Sequence, residues 1–524
     1  MTDLIRDTVF GHFVRLIPGI KLLRYPDELN PSLGRQAIEE EGSDETEKIS
    51  NGEEVKSVHL VAWYGSDDPE SPQNWSSNTK LLVTAQICVL NFSVYVGSAI
   101  YTPGEESIMK DFGVSTTTAT LGLSLFVLGY GLGPMLFSPM SEMPQIGRSG
   151  IYFWTLFMFV ILQLPVGFAP NISVFLAFRF FTGFFGGPVL ATGGATIADM
   201  YPPTMISYGI CIWGAFGILG PVLGPLVGGF AAQAKGWKWT IWELTWLCSV
   251  VLVVLFFLMP ETNPDNILYR RARRLRKATG DKRLKSQSEI DAAEHTWRDH
   301  LIGLGKAFTL TFFEPVVFFV GLYTALLYGV LYIWFESFPL VFGNIYGFNT
   351  GEQGLAFLGI FVGGVLTLPC YLLWIKYSFV PEFSKPVFVP EKILPPAFFG
   401  AFALPICLFM YGWTARESVH WIVPIIGSGI FTIAIICLFN PVLNYLGMAY
   451  PTYAASVYAG NTLFRASFGV IFPLFARALF HKLGIAGGNS LLGGLSILFI
   501  PIPFVLYKYG KPIRHASKNA RHDI

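Results

Sequence analysis

Twelve apolar runs, each roughly 20 residues long, account for most of this chain of 524 residues. A helix of about 20 apolar residues spans the roughly 30 Å hydrocarbon core of a bilayer. Soluble domains carry about a quarter charged residues, whereas 14% of this chain is charged and its mean hydropathy is +0.50. The sequence therefore excludes a soluble fold and predicts an all-α integral membrane protein. The runs lie at 80–101, 116–137, 150–168, 172–195, 205–233, 239–259, 315–342, 353–375, 395–413, 419–440, 450–475 and 487–508.

The runs form two groups of six, separated by a charged stretch. We therefore predict two six-helix bundles, at 80–260 and 315–510, joined by a basic loop at 261–314. An even number of crossings returns the chain to the side where it began. The tails at 1–79 and 511–524 are thus expected on the same side of the membrane.

Lysine and arginine are distributed unevenly between the two sides. Twenty of them fall in the central loop, the C-terminal tail and the loops on that side, and six fall on the other side. Because cytoplasmic loops are enriched in Lys and Arg, both tails and the basic loop are predicted to be cytosolic. The formal net charge is +1, which argues against nucleic-acid binding. We interpret the basic loop as a topology signal that lies on anionic lipid.

The N-terminal tail has two different parts. Residues 4–22 place apolar side chains on one helical face, which predicts a short helix on the inner leaflet. Those side chains are Ile5, Val9, Phe13 and Ile17. Residues 31–57 are acidic and rich in Ser and Glu, and this composition predicts disorder.

The chain has no pattern typical of a metal or nucleotide site. Its six cysteines all fall inside predicted spans, with no CxxC or Cys/His cluster. The Gly-Lys pairs at 305–306 and 510–511 are followed by Ala and Pro, so neither is a P-loop. We expect no metal, no cofactor and no ATP hydrolysis. A secondary transporter driven by an ion gradient is the remaining interpretation.

Glycine and proline recur with helical spacing in the fifth run. The stretch GILGPVLGPLVGG covers 217–229, and no charge occurs from Met205 to Ala234. Glycines four residues apart line one helix face and allow another helix to approach closely, while proline bends the axis. This pattern indicates a bent and tightly sealed helix pair. The alternative is an ordinary packing seam of small residues.

Three stretches resemble motifs of the major facilitator superfamily. Residues 220–229 resemble its antiporter motif, carried here by Gly220, Gly224, Pro225, Gly228 and Gly229. The sequence RFFTGFFGG at 179–187 is similar to the fourth-helix motif. The loop at 138–148 matches the superfamily's cytosolic loop motif only in part, at Glu142, Gly147 and Arg148, which weakens the loop-latching role that the resemblance implies.

Longer stretches are similar to one branch, the fungal twelve-spanner drug:proton antiporters named for benomyl and methotrexate resistance. They include DDPESPQNWSSNTK (67–80), SVYVGSAIYTPG (93–104), LATGGATIADMY (190–201), PETNPDNILYRRARRLR (260–276) and FPLFARALF (472–480). The resemblance implies the major facilitator fold, in which two pseudo-symmetric six-helix bundles enclose a cavity. It also implies a plasma-membrane exporter that exchanges protons for toxic hydrophobic compounds.

Charged residues within predicted spans are candidates for proton coupling, because an ionisable group in a membrane is costly and marks function. They are Glu336 in the middle of the seventh run, Arg465 in the eleventh and Arg179 in the fourth. A carboxylate whose burial and charged neighbours oppose each other is suited to load and release a proton. The alternatives are a structural Glu336 bonded to tyrosines and an Arg465 bonded to backbone carbonyls. Glu243 is expected at the interface and Asp199 as a cap or latch.

A cavity for a bulky apolar substrate needs aromatic walls with few fixed polar groups. The candidate lining residues are Asn91, Tyr95, Tyr328, Tyr332, Tyr458 and Asn461. Aromatic faces also suit cationic drugs. The expected partners are small-molecule substrates, protons and the lipid bilayer, and we expect a monomer.

Two other functions remain open from the sequence. One is a dedicated exporter of a single endogenous metabolite, such as a self-made toxin or a polyamine. The other is a membrane sensor that transports nothing, although the chain has no recognisable signalling domain. A sugar uniporter is disfavoured by the antiporter motif.

Overall fold

The computed structural model describes residues 2–17, 23–29, 59–294, 309–385, 389–450, 454–517 and 519–520. The acidic stretch predicted to be disordered, at 31–57, lies outside the described residues. Arg298 and Lys306 of the basic loop also lie outside them.

The first six spans form the N-terminal bundle. They are Ser77–Ala99, Thr116–Glu142, Arg148–Gly167, Ile172–Met200, Pro203–Lys235 and Trp237–Leu258. The fourth span consists of two helices, Ile172–Gly186 and Val189–Met200. A short helix, Glu105–Phe112, joins the first two spans. Side-chain oxygens of Ser76, Ser115 and Asn171 cap the N-termini of the first, second and fourth spans.

The C-terminal bundle begins with Pro315–Phe338, Thr350–Ser384, Pro395–Thr414 and Ile422–Ala449. The last continuous segment, Val457–Ala516, has 60 residues, which is about three times the length that one crossing needs. Gly484 has φ 71 and ψ 168 within it and divides it into the eleventh and twelfth spans. The eleven apolar helical segments of the described residues therefore make twelve crossings, and the predicted fold class is confirmed.

The two bundles repeat the same helix contacts. The first span packs on the fifth, the second on the fourth and the third on the sixth. Their counterparts pack in the same way, seventh on eleventh, eighth on tenth and ninth on twelfth. Between the bundles, the second span meets the eleventh and the fifth meets the eighth. This repetition indicates that the two bundles are related by a pseudo-two-fold axis.

Small residues allow the spans to pack this closely. A Cβ on Gly129 would lie 2.2 Å from the Phe180 carbonyl oxygen, and one on Gly183 would lie 2.1 Å from that of Phe126. The second and fourth spans thus touch backbone to backbone on both sides of the contact.

A cap of non-membrane segments covers one end of the N-terminal bundle, which we call the basic end. Its centre is the helix Pro264–Thr279, and residues 59–60 pair with 284–285 as a parallel two-stranded ribbon. Arg271 is fully buried and lies 2.6 Å from Asp68, while Arg274 lies 2.9 Å from Glu70. These arginines of the basic run are therefore bound by protein carboxylates. The expectation that the run as a whole lies on lipid is wrong for them.

The predicted helix at 4–22 is interrupted within its described part, which ends at residue 17, and residues 18–22 lie outside the described residues. Helices Thr2–Arg6 and Val9–Leu16 are separated at Thr8, which forms a backbone bridge with Pro260. Within the second helix, the Phe10 ring lies 4.9 Å from the Phe257 ring of the sixth span. Burial, together with the adjacent Arg270, lowers the pKa of His12 to about 3, so His12 is neutral at physiological pH.

Candidate functional site

A cavity of about 430 Å³ lies between the bundles. Five of the six predicted lining residues line it, namely Asn91, Tyr95, Tyr328, Tyr458 and Asn461, and Arg465 joins them. Most of the remaining wall is apolar, with Trp213 and Phe439 among the aromatic members that sequence reasoning missed. Such a wall with a few placed polar groups is typical of a small-molecule site.

The cavity reaches the surface at the basic end. Its lining includes Glu142, at the end of the second span, and Pro203, at the start of the fifth, and both are exposed. Arg148 also lines the cavity, and it forms two hydrogen bonds to Asp199, at 2.6 and 3.1 Å. At the opposite end of the molecule, which we call the far end, none of the described residues lines the cavity.

Arg465 lies deep in the cavity and is held by hydroxyls and rings. Its Nη1 donates to the Tyr328 hydroxyl at 2.8 Å, and its Nη2 donates to Thr462 Oγ1 at 3.1 Å. Its guanidinium carbon is 4.6 Å from the Tyr328 ring centre and 4.8 Å from that of Phe439. These contacts fix the cation in one orientation.

A layer of four tyrosines closes the cavity from the far end. The hydroxyls of Tyr95 and Tyr328 are 3.1 Å apart, and those of Tyr130 and Tyr332 are 3.0 Å apart. Each pair joins one bundle to the other. Tyr332 is fully buried in this layer and is not among the lining residues, so its predicted place on the cavity wall is wrong. Its position one helical turn beyond Tyr328 carries it past the cavity floor.

Glu336 lies on the far side of this layer and not in the middle of the seventh span. It comes two residues before the end of the helix Pro315–Phe338, because the apolar run continues into a π-turn at Pro339–Gly343. Its Oε2 accepts from Arg477 Nε at 2.6 Å, and its Oε1 accepts from Thr120 Oγ1 at 3.1 Å. The alternative of bonds to tyrosines is therefore wrong.

A second buried acid, Glu105, completes this cluster. It is 3% exposed, and its Oε2 lies 4.0 Å from Arg477 Nη2 and 3.3 Å from Thr120 Oγ1. Glu105, which follows a Pro-Gly turn, is not among the predicted site residues, and Arg477 is one of the six basic residues counted on the other side of the membrane. A signal was present in the acidic pair at 105–106, which starts a helix directly after the first span.

The predicted antiporter motif lies at the contact of the fifth span with the first. A Cβ on Gly220 would lie 2.5 Å from Tyr95 Cβ, and one on Gly228 would lie 1.8 Å from the Ile100 carbonyl oxygen. Gly224 faces the same helix, and a Cβ there would lie 3.1 Å from Ile100 N. Gly229 faces the other bundle, and a Cβ there would lie 2.7 Å from the Thr350 carbonyl oxygen. Next to it, Gly351 N donates to Gln233 Oε1 at 2.9 Å.

Pro225 of the same motif also faces the C-terminal bundle. A Cβ on Gly354 of the eighth span would lie 2.5 Å from the Pro225 carbonyl oxygen. The motif thus packs one face on the first span and another on the eighth, and it does so near the far end.

Arg179 binds backbone carbonyls inside the N-terminal bundle. It is fully buried and donates to the oxygens of Gly97 at 2.9 Å and Gly122 at 3.1 Å. The rings of Tyr101 and Phe126 lie 4.5 and 4.4 Å from its guanidinium carbon. It therefore ties the first, second and fourth spans together, away from the cavity.

The cytosolic loop motif surrounds a buried carboxylate, that of Glu261. Gly147 has φ 77, and a Cβ there would lie 2.3 Å from Glu261 Oε2, so glycine is needed both for the backbone and for the contact. Glu261 accepts from the backbone N–H of Arg148 at 3.0 Å and from those of Thr262 and Asn263 at 2.9 Å. The loop is thus anchored to the segment that follows the sixth span.

Glu243 lies outside the cavity. It lines a separate cleft on the fifth and sixth spans together with Lys235 and Trp239. The Lys235 amine is 3.9 Å from the Trp239 ring centre. Glu243 was expected at the interface, and the structure places it in an external groove at the far end.

Comparison with known proteins agrees with this architecture. Residues 87–473 match the family described as Major Facilitator Superfamily. This chain belongs to the Major Facilitator Superfamily. It is therefore a multi-pass membrane transporter, a class of protein that moves small molecules.

Two curated fungal relatives of this superfamily member align over most of their length. One is "Transporter mfs1" of Schizosaccharomyces pombe, 42% identical over 98% of this chain and 99% of the relative. The other is "Fluconazole resistance protein 1" of Saccharomyces cerevisiae, 42% identical over 90% of this chain and 87% of the relative. Among solved structures, the proton:xylose symporter XylE has a TM-score of 0.60 at 16% identity, covering 83% of this chain and 96% of XylE. That likeness concerns the fold.

Proposed function

We propose that this chain is a proton-coupled antiporter that exports hydrophobic toxic compounds across the plasma membrane. The observation that carries the proposal is the largely apolar cavity between the bundles, open at the basic end and closed at the far end. The relative named for fluconazole resistance supports drugs as the substrate class. With the basic end in the cytosol, as the Lys/Arg bias predicts, this conformation receives substrate from inside the cell.

The far-end cluster is the proposed proton site. Glu336 and Arg477 belong to the C-terminal bundle, whereas Thr120 and Glu105 belong to the N-terminal bundle. Opening of the far end would part the two bundles here and expose the Glu336 carboxylate to outside water. The carboxylate then takes a proton from the outside, which the hydrogen bond from Thr120 opposes in the closed state.

The tyrosine layer offers a polar route from this acid towards the cavity. Tyr332 lies one turn from Glu336 and shares a hydrogen bond with Tyr130, while Tyr328 is bonded to both Tyr95 and Arg465. Closure of the far end brings the Thr120 hydroxyl of the N-terminal bundle back to the Glu336 carboxylate, and this hydrogen bond favours release of the proton. We propose that the released proton leaves through these hydroxyls to the cytosol-facing cavity.

The energy of one proton is sufficient for concentrative export. An inward proton gains about 2.3 kcal/mol from a 100 mV potential and roughly 1.4 kcal/mol from each unit of pH gradient. Those terms support a several-hundredfold gradient of one neutral compound.

Arg179 and Arg465 then act without carrying the proton, the first as a link between helices and the second on the cavity wall.

The test uses the full chain in a yeast strain that lacks its own drug pumps. We expect resistance to hydrophobic toxins that a protonophore abolishes. We expect Glu336→Gln to reach the membrane and bind substrate normally but to lose pH-dependent efflux, because glutamine cannot titrate. Glu352→Gln, which changes an exposed capping acid, is the control. Uphill efflux by Glu336→Gln with an unshifted pH profile would exclude Glu336 as the proton carrier.

A further inference from the structure

Arg465 is a buried cation with no carboxylate beside it. It is 6% exposed, and none of the ion pairs that the described residues form includes it. Its partners are the hydroxyls of Tyr328 and Thr462 and the ring faces of Tyr328 and Phe439. Hydroxyls and rings carry no net negative charge. Within the part of the chain that the structure describes, the positive charge of Arg465 is therefore uncompensated.

The rest of the cavity wall does not supply the missing charge. Among the described lining residues, Glu142 is the only acid, and it is exposed at the mouth. Arg465 is eleven residues into a helix that starts at Ala454 at the basic end, or roughly 16 Å along its axis. The deep half of the cavity thus combines an apolar aromatic wall with one cation.

This charge pattern distinguishes between ligands. A carbonyl or carboxylate oxygen beside Arg465 accepts a charge-assisted hydrogen bond, which is stronger than a neutral one. An organic cation in the same place is repelled, and the low dielectric of a buried site strengthens the repulsion. Aromatic rings attract cations, but here the rings of Tyr328 and Phe439 already face the guanidinium.

We propose that the cavity binds neutral and anionic amphiphiles that present a carbonyl or carboxylate oxygen to Arg465, and that it discriminates against organic cations. This inference rests on the proposed export function and names its substrate class. It differs from the expectation, drawn from aromatic content alone, that cationic drugs suit the cavity. It also assigns Arg465 to substrate selection.

The first experiment measures binding to the purified full chain by calorimetry. Three naphthyl compounds of equal chain length end in a carboxylate, a primary amide or a primary ammonium group. We expect the carboxylate and the amide to bind about ten- to hundredfold more tightly than the ammonium, the range for hydrogen bonds to charged groups. Equal binding of all three, or tighter binding of the ammonium compound, overturns the inference.

The second experiment tests the residue. Arg465→Gln is expected to remove the preference while the ammonium compound binds at least as well as before, and Arg465→Lys is expected to retain it. Lys508→Gln, which removes an exposed positive charge outside the cavity, is the control. Equal weakening of all three compounds by Arg465→Gln means that Arg465 only supports the fold, and this overturns the inference. The preference of the unmodified chain decides the question even if that variant does not fold.

Efflux separates this inference from the proposed function. Proton-dependent export of toxins without a preference for acceptor groups overturns the charge selection alone. If the unmodified chain shows no proton-dependent export at all, the proposed export function is overturned. The binding preference among the three compounds then still decides the inference about Arg465.

Discussion

Glu336 and Arg477 form an ion pair, with Oε2 and Nε 2.6 Å apart, at the end of the molecule opposite the cavity mouth. The acid is 2% exposed at its side chain and the arginine 32%. Thr120 and Glu105 reach this pair from the other bundle. The pair is thus part of the contact that closes the far end, and the energy of that contact is coupled to the charge on Glu336.

Thr120→Val is expected to weaken far-end closure. The change removes the hydroxyl that donates to Glu336 from the other bundle, and a hydrogen bond to a charged group contributes about 1.5–3 kcal/mol. The population that is open at the far end should rise roughly tenfold or more. Spin labels on the outer ends of the second and eleventh spans report this as a longer distance component.

Thr117→Val serves as the control for that measurement. Thr117 lies one turn earlier on the same helix and is exposed, so the same loss of a hydroxyl should leave the distances unchanged. Equal distance distributions for Thr120→Val and the unmodified chain would show that this hydrogen bond does not hold the far end closed.

Gly228→Ala is expected to abolish transport, whether the variant is expressed at a normal or at a reduced level. The added Cβ would lie 1.8 Å from the Ile100 carbonyl oxygen, so the first and fifth spans must separate at this point. Gly494→Ala is the matched control, because its Cβ would meet no atom within 4 Å. Proton leak into vesicles measures the seal directly. A Gly228→Ala variant that transports and seals normally would contradict a packing role for the motif.

The spans and the motif could be predicted because both depend on local sequence. A run of about 20 apolar residues is sufficient to define a crossing, and glycines four residues apart define a helix face. The cavity residues on the first, seventh and eleventh spans could be predicted for the same reason, since each occupies a regular position on one helix. The prediction that Tyr332 lines the cavity was wrong because a helix face does not reveal how deep the cavity extends.

The far-end cluster and the cap could not be predicted in this way. Glu105, Thr120, Glu336 and Arg477 come from four different segments, and hydropathy gives no pairing between them. Arg271 is likewise paired with Asp68, about two hundred positions earlier in the chain. A charge run shows how many cations are present but not which of them meet a carboxylate after folding.

Arg179→Lys is expected to destabilise the N-terminal bundle without shifting the pH dependence of transport. An ammonium group cannot reproduce the planar fork that reaches the carbonyls of Gly97 and Gly122. Loss of one such buried contact costs about 1–3 kcal/mol, which should appear as a lower thermal midpoint of the purified protein. The residual efflux, plotted against pH, distinguishes the two roles. A shifted profile would instead indicate that Arg179 takes part in proton coupling.

The Asp68–Arg271 pair predicts that the cap loosens in acid. Both side chains are fully buried. Burial raises the pKa of Asp68, but the hydrogen bonds and the charge of Arg271 lower it by more, so that its net pKa lies below the ordinary 3.8. An acid with a lowered pKa in the folded state stabilises that state above the ordinary value, and the stabilisation is lost as the pH falls through the folded-state value. Hydrogen exchange of residues 59–75 should therefore accelerate below about pH 4. Asp68→Asn should expose the same residues at neutral pH, whereas Asp291→Asn, which changes an exposed acid bonded to Gln287, should not. Unchanged exchange in Asp68→Asn would show that other contacts hold the cap in place.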